Sequence, residues 1–390
     1  MDSKNVFKGI SLNVLLLGVV SLLTDMGSQI VFPLIPLFLS TELKASALII
    51  GLIEGSAIAT ASFFKVFSGY FSDKRHRRKP FILSGYLLSS LMKPLFAFAY
   101  SWNFVLFIRI FERVGKGIRD APRDALVAES TSREFRGKAF GFQRALDGIG
   151  SVLGAMIAFI ILPLFGFRLS FLSALIPSIL AVFLIMFIKE KRVKKNKVAG
   201  LKVSFSKLSS KLKFFILIVV IFSLGNFGYS FLLLKVLSTG LKSQEAILFY
   251  ILFYFTYSLL VIPFSSISDR IGRKKVLFTG YLTFSLTALL LAFSSSVFQL
   301  ISMFVLFGLF FALTDGVERA FVVDLSPKHL KATALGTFYT VKGFTAIPAG
   351  LIAGFLWDKS PHFTFLFGFA FSLIALVLLY FFKQDKLSKV

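Results

Sequence analysis

Residues 109–124, RIFERVGKGIRDAPRD, place eight charged side chains in sixteen positions of a chain that is 56% hydrophobic and only 16% charged. Wound as a helix, Arg109, Arg113, Lys116, Asp120 and Arg123 fall within about 80° of one another, because their spacings are 4, 3, 4 and 3. Glu112 and Arg119 flank this stripe, and Phe107, Phe111, Val114 and Ile118 take the opposite side. Such a face can bind an anion, pass a proton or close ion pairs. Glu112 and Lys116, like Lys116 and Asp120, are four apart, the reach of a helical pair. Other apolar stretches hold Asp25, Glu54, Lys65, Lys93, Arg144 and Asp147 as partners. Asp25 has no cation within its own turn, so it reads either as a proton-carrying carboxylate or as half of a static ion pair, with Glu54 second for the proton.

The elements that position these residues are membrane helices. Runs of about 20 apolar residues span a bilayer. Twelve occur, near 10–39, 46–71, 80–99, 102–127, 137–164, 168–188, 213–237, 245–267, 275–296, 299–323, 332–356 and 361–382. Lipid offers the backbone no hydrogen-bond partners, so each must be helical. MDSKNVFKGI before the first run carries no cleavage site of small residues, which points to a retained helix. Pro122 is expected to end regular helix and leave Arg123 and Asp124 at the membrane mouth. A charge at the bilayer centre costs at least ~2.5–3.5 kcal/mol, so the stripe must face a water-filled cavity or other charged helices.

The net charge of +25 is distributed by topology. With the N-terminus in the cytoplasm, the tails and even-numbered loops hold 29 of the 44 Lys and Arg residues, the odd-numbered loops four and the spans 11. That asymmetry sets both termini in the cytoplasm, with anionic lipid head groups rather than nucleic acid as the partner of the basic surface. The absence of Cys removes thiolate and disulfide chemistry, and His76, His329 and His362 sit in loops or at a span edge. No GxxxxGK[ST] stretch occurs, so no cofactor, metal or ATP hydrolysis is expected.

The chain repeats itself. SDKRHRRK at 72–79 matches SDRIGRKK at 268–275, and ALVAESTSREFRGKAFG at 125–141 matches AFVVDLSPKHLKATALG at 320–336, at offsets of 196 and 195. The reading is an all-α integral membrane protein of twelve helices, in two six-helix halves related by a pseudo-two-fold axis. The N-terminal bundle takes 1–188, the basic linker 189–212 and the C-terminal bundle 213–390. The C-terminal half carries only three cations within its spans, Lys235, Arg319 and Lys342, beside Asp315 and Glu318. Lys342 stands at the repeat position of Asp147, and the abundant Phe residues read as packing and lipid contact.

These motifs resemble the major facilitator superfamily (MFS). GYFSDKRHRRKP at 69–80 resembles its loop signature, with His76 where a glycine is usual and Gly272 in the second copy. Arg113, Gly115 and Gly117 resemble its fourth-helix signature, and Gly141, Gly150 and Gly154 the antiporter spacing of the fifth helix, with Ala155 in place of proline. TDMGSQIVFPLIPLFL and GKGIRDAPRDAL resemble a bacterial and archaeal permease branch. The resemblance implies a monomeric secondary transporter of the cytoplasmic (inner) membrane working by alternating access, with a small-molecule substrate and protons as partners. It implies that Asp73 locks the cytoplasmic side against a helix of the other half; the alternative is an ordinary topology charge.

The expected proton and substrate cavity is Asp25, Glu54, Lys93, Arg109, Glu112, Arg113, Arg144 and Asp147, with Asp315, Glu318, Arg319 and Lys342 from the second half. The expected cytoplasmic gate is Gly69, Asp73, Arg77, Lys116, Asp120, Arg123, Asp124, Asp269 and Arg273. The first function this suggests is proton-coupled export of a small organic or amphipathic solute. Movement of an organic anion or phosphorylated metabolite is the alternative, since intramembrane cations of the first half outnumber its carboxylates eight to six. An intramembrane lipid-modifying enzyme or a transport-dead sensor are the readings from other classes.

Overall fold

The computed structural model describes residues 11–75, 77–190, 208–327 and 330–382; His76, His329 and most of the basic linker (191–207) lie outside the described residues. Among the described residues, ten helical stretches are long and apolar enough to cross a membrane. One of them, Arg136–Ile185, turns at Gly166 (φ 71°) and so supplies two legs, α5 (136–165) and α6 (167–185). Trp102–Glu129 is too charged to be counted among the ten, yet its 28 residues reach about 42 Å. The twelve legs are α1 (Leu12–Thr41), α2 (Ala47–Arg75), α3 (Lys79–Phe98), α4 (Trp102–Glu129), α5, α6, α7 (Ser210–Ser238), α8 (Ser243–Ile271), α9 (Arg273–Phe293), α10 (Val297–Asp324), α11 (Lys331–Lys359) and α12 (Pro361–Phe381). Asn13 at the start of α1 bonds the backbone of Lys189 just past α6 (2.6 and 3.1 Å), which brings both to one end of the bundle. That end also carries residues 77–78 and 130–135 and is the basic end of the bundle.

Pro122 does not end α4, which continues to Glu129. One missing N–H is a smaller loss than uncovering a whole turn of backbone at membrane depth, so the helix absorbs the proline. Ser101 and Ser130 mark the ends: Ser101 Oγ accepts from Phe104 N (3.4 Å) and Ser130 N donates to Leu126 O (2.9 Å).

The duplication is visible atom by atom at the basic end. In the first half Arg78 joins Asp73, Ser72 Oγ (2.8 Å) and Glu129 (3.1 Å). In the second half Arg273 joins Asp269 (2.7 Å), Ser268 Oγ (2.9 Å) and Asp324 (2.7 Å). Lys79 Nζ donates to the last carbonyls of α6, Met186 O and Ile188 O, and Lys274 Nζ does the same to Tyr380 O and Phe382 O at the end of α12. The arginine of the clasp is Arg78, not Arg77, whose side chain is exposed. Each clasp ties loop, α2 or α8, and α4 or α10 within one half.

A second repeated feature escaped sequence reading. α1 is interrupted at Phe32–Pro33, and α7 at Asn226–Phe227, where Gly228 takes φ 69° and its N–H bonds Asn226 Oδ1 (3.0 Å). Broken helices at these depths are tolerated where the freed backbone lines a cavity.

The halves meet along α2 and α11. A methyl group on Gly51 would lie 1.9 Å from Gly350 O, and one on Gly55 2.4 Å from Ala346 O. Toward the basic end the seam loosens, so that a methyl on Gly336 would lie 3.6 Å from Val66. At the far end Asp358 of α11 caps the N-terminus of α2, accepting from Ala47 N (2.8 Å) and Leu48 N (3.1 Å). One apolar core joins both halves there, including Leu37, Phe38, Phe231 and Val236, whereas the core of the first half near the basic end, with Val14, Ile82 and Val127, is separate. The seam between the halves is therefore tightest toward the far end and looser toward the basic end. Gly51→Val should force the seam apart: double-cysteine crosslinking between α2 and α11, done in this Cys-free chain, should fall several-fold, and unchanged crosslinking would refute the seam.

Candidate functional site

The charged stripe of α4 is bolted into the first half. Arg109 is fully buried; its guanidinium lies 3.0 Å from Glu54 on α2 and 3.5 Å from Glu112. Glu112, also fully buried, is shared with Arg113 Nε at 3.3 Å. Both guanidinium groups stack on the Phe32 ring at the α1 break, at 4.2 and 4.3 Å from its centroid. Two carboxylates thus neutralise two arginines. About two and three turns further on, Arg119 donates to Ser89 Oγ and lies over Tyr86, and Arg123 reaches Ser21 Oγ (3.1 Å) and Asp124 (3.0 Å). Buried Lys93 donates to Thr24 O of α1 (3.1 Å). Phe107 and Phe111 are exposed on the opposite, lipid-side face of α4.

Between the halves lies a cavity of about 450 Å³, within the range that holds a small organic molecule. The first half lines it with Asp25, Glu54, Arg113, Lys116, Arg144 and Asp147, the second with Asp315 and Lys342. Most of these charges are paired: Glu54 with Arg109, Asp147 with Arg144 (3.6 Å), Asp315 with Arg319 (2.8 Å) and Lys342 with Glu318, which also accepts from Tyr281 OH (3.1 Å). Asp25 and Lys116 have no ion pair within 4.0 Å among the described residues.

The expected residues therefore separate by depth. Asp25, Glu54, Arg113, Arg144, Asp147, Asp315 and Lys342 reach the cavity wall. Lys93, Arg109, Glu112 and Glu318 are buried behind it, and Arg319 stands behind Asp315. Lys116, assigned by spacing to the gate, lines the cavity instead. Asp73, Asp269 and Arg273 sit in the clasps, each paired inside its own half, and Arg123 and Asp124 pair with each other. Gly69 lies where a methyl would approach Ala121 Cβ to 3.3 Å, so it serves α2–α4 packing. Gly150 and Gly154 similarly admit Leu22 O and Met26 O of α1.

Sequence reading missed the phenolic wall. Tyr254 and Tyr257 of α8 and Tyr229 after the α7 break line the cavity, Tyr257 donating to Asp315 (3.2 Å), and Tyr250 reaches Gln29 of α1 (2.6 Å). The 250, 254, 257 spacing is a helical stripe drawn from only ten tyrosines in the chain, and it was readable. Phe227, Phe253 and Phe311 of the second half, expected as packing and lipid contact, also face the cavity, as does Phe32.

The Major Facilitator Superfamily model matches residues 17–241 and again 214–390. An uncharacterized MFS-type transporter of Methanocaldococcus jannaschii is 40% identical over 380 residues, covering 95% of each chain. A cis,cis-muconate transport protein of Acinetobacter baylyi is 23% identical over 340 residues, 82% of this chain and 81% of that one. Among solved structures, the POT family transporter PepTSo superposes with a TM-score of 0.78 at 12% identity, over 95% of this chain and 97% of that one.

The ion-pair cluster makes a stability prediction. Glu112→Ala leaves two guanidinium groups short of a buried partner and should cost about 3–5 kcal/mol. Arg77→Ala, which removes an exposed side chain at the basic end, should stay within about 0.5 kcal/mol. Thermal unfolding of the two variants in detergent checks this, and equal melting temperatures would refute the distinction.

Proposed function

The chain belongs to the Major Facilitator Superfamily, is a multi-pass membrane transporter rather than an enzyme, and on that premise we propose that it couples protons to the movement of a small organic or amphipathic solute by alternating access. The two moving bodies in this proposal are residues 1–188 and 213–390, joined by the linker 189–212. The basic end faces the cytoplasm of a cell whose inner membrane holds the protein as a monomer, in line with the loop charges.

The observation that carries coupling is Asp25. It is the one cavity carboxylate without an ion pair within 4.0 Å among the described residues, on α1 and open to the space where solute binds. The groups around it are Asp147 of α5, Lys116, Arg119 and Arg123 of α4, Lys93 of α3 and Tyr254 of α8. Glu54, the second candidate, is held by Arg109 and is the static pair. The far-end closure by Asp358 and the Gly51–Gly350 seam supports an inward-open state, which must convert for the cycle to proceed. In that conversion Asp73 would leave its partner Arg78 and meet a helix N-terminus of the other half.

Direction follows from charge. A cationic solute would compete with the proton for Asp25 and exchange against it, which is export. An anionic solute would be balanced by the proton and travel with it. The fifth-helix glycine spacing is one of the supports for export, beside the spans, the duplication and the loop motifs, but the packing of Gly150 and Gly154 against α1 bears on no direction.

Spin labels on Glu42→Cys and Ser238→Cys, exposed at the far end of each half, would report opening without any solute. Their distance distribution should change with pH in the parent and lose that dependence in Asp25→Asn; retained dependence would move the proton site to Glu54 or elsewhere. In the same background Asp73→Asn should fold normally but shift the distribution and slow transport. Unchanged rates would reduce Asp73 to a topology charge.

A further inference from the structure

We infer that the cargo is a small organic anion, seated between the Arg113–Lys116 face of α4 and the N-terminus of the half-helix Gly228–Ser238; this deepens the transporter reading and rests on it. The half-helix is 11 residues long; Asn226 Oδ1 accepts from Gly228 N (3.0 Å), and no side chain takes the N–H groups that follow it, among the described residues. Its first residues, Gly228, Tyr229, Ser230 and Phe231, form part of the cavity wall, so the unpaired N–H groups of that turn and the positive end of its dipole open on the same space as the two cations. Ser230 is 3% exposed, and its hydroxyl, like that of Tyr229, has no hydrogen-bond partner. A buried hydroxyl left without a partner at a cavity wall is an uncompensated cost unless a ligand supplies one.

The charges point the same way. Glu54 and Glu112 are used up by Arg109 and Arg113, while Arg113 and Lys116 both line the cavity and Lys116 has no ion pair within 4.0 Å among the described residues. The lone opposing acid on that wall without a partner is Asp25, among the described residues. Arg113 is balanced through Glu54 and Glu112, so a proton on Asp25 leaves Lys116 unopposed, and an anion then restores neutrality. The loaded cavity is electroneutral with one proton and one negative charge, and co-transport is the mode this geometry favours. Phe32, Phe227 and Phe253 give the body of the solute an apolar, aromatic setting, so a planar carboxylate or phosphate ester fits better than a sugar.

The test is equilibrium binding to the full chain in detergent, where no gradient exists, using radiolabelled benzoate and phenyl phosphate against benzylammonium and benzyl alcohol. At least one of the two anions should bind saturably and be displaced by the other. Lys116→Gln should weaken it about tenfold or more, the loss of one charge-assisted hydrogen bond. Ser230→Asp should abolish it, and Lys116→Arg should restore most of it. Size-exclusion profiles identify any variant that fails to fold, and the Arg rescue then decides. Binding of neither anion, or anion binding untouched by both Lys116→Gln and Ser230→Asp, overturns the inference. Benzylammonium binding that depends on Asp25 overturns it too, yet leaves proton coupling standing, because the far-end opening of Asp25→Asn is read separately.

Discussion

Everything in the first half follows from the cost of an unpaired charge at membrane depth. Arg109 and Glu112 are both inaccessible to solvent, and neither could remain charged there without the other and without Glu54. This requirement fixes the rotation of α4, because its stripe must turn toward α1, α2 and α3 and its Phe face toward lipid. It also makes the half rigid. Arg119 on Ser89 and Arg123 on Ser21 lock α4 to α3 and α1, and Lys93 on Thr24 O ties α3 to α1, so none of these helices can slide alone. A body locked in this way moves as a unit, which is what rocking of one bundle against another needs.

Between the bundles the cohesion is of another kind. Along α2 and α11 glycines let backbone meet backbone, and the ionic element at the far end is Asp358 on two N–H groups of α2. Such an interface holds through shape and a few directional bonds, and it can part without stranding a buried charge. At the basic end each clasp, Arg78 with Asp73 and Glu129 or Arg273 with Asp269 and Asp324, closes on its own half. The carboxylates of both clasps remain partly open to solvent and are free to take a new partner when the basic end closes.

How much of this could be read beforehand depended on whether the signal was periodic. The stripe of α4, the twelve legs, the turn between α5 and α6 and the duplication all repeat with a fixed spacing, and sequence carries spacing well. Three features do not repeat in that way. The breaks at Pro33 and Asn226–Gly228 vanish inside hydropathy windows, because a single disrupted turn barely changes an average over 20 residues. The rotation of one helix relative to another is not encoded locally, so Glu54, expected both as a partner of the stripe and as the second proton candidate, could not be assigned to Arg109 beforehand. Loop length misled as well. Asp73 and Asp269 differ by 196 while Arg78 and Arg273 differ by 195, so the first loop has one extra residue, and counting from the aspartate lands on Arg77.

The two copies have parted in a way that matches their work. Lys342 stands where Asp147 stands in the first copy, and both face the same cavity from opposite walls, each held by a partner from its own half. Elsewhere the second half replaces charge with rings: Phe222 stacks on Tyr281 at 3.9 Å, and Phe227, Phe253, Phe284, Phe307 and Phe310 continue the cluster toward the α7 break. Aromatic contacts are worth only about 0.5–1.5 kcal/mol each beyond burial and tolerate many geometries. A wall made of them can repack around a helix whose upper segment begins at a glycine, whereas a wall of buried ion pairs cannot. The charged half is thereby suited to hold the proton and the cations fixed, and the aromatic half to change shape around what they bind.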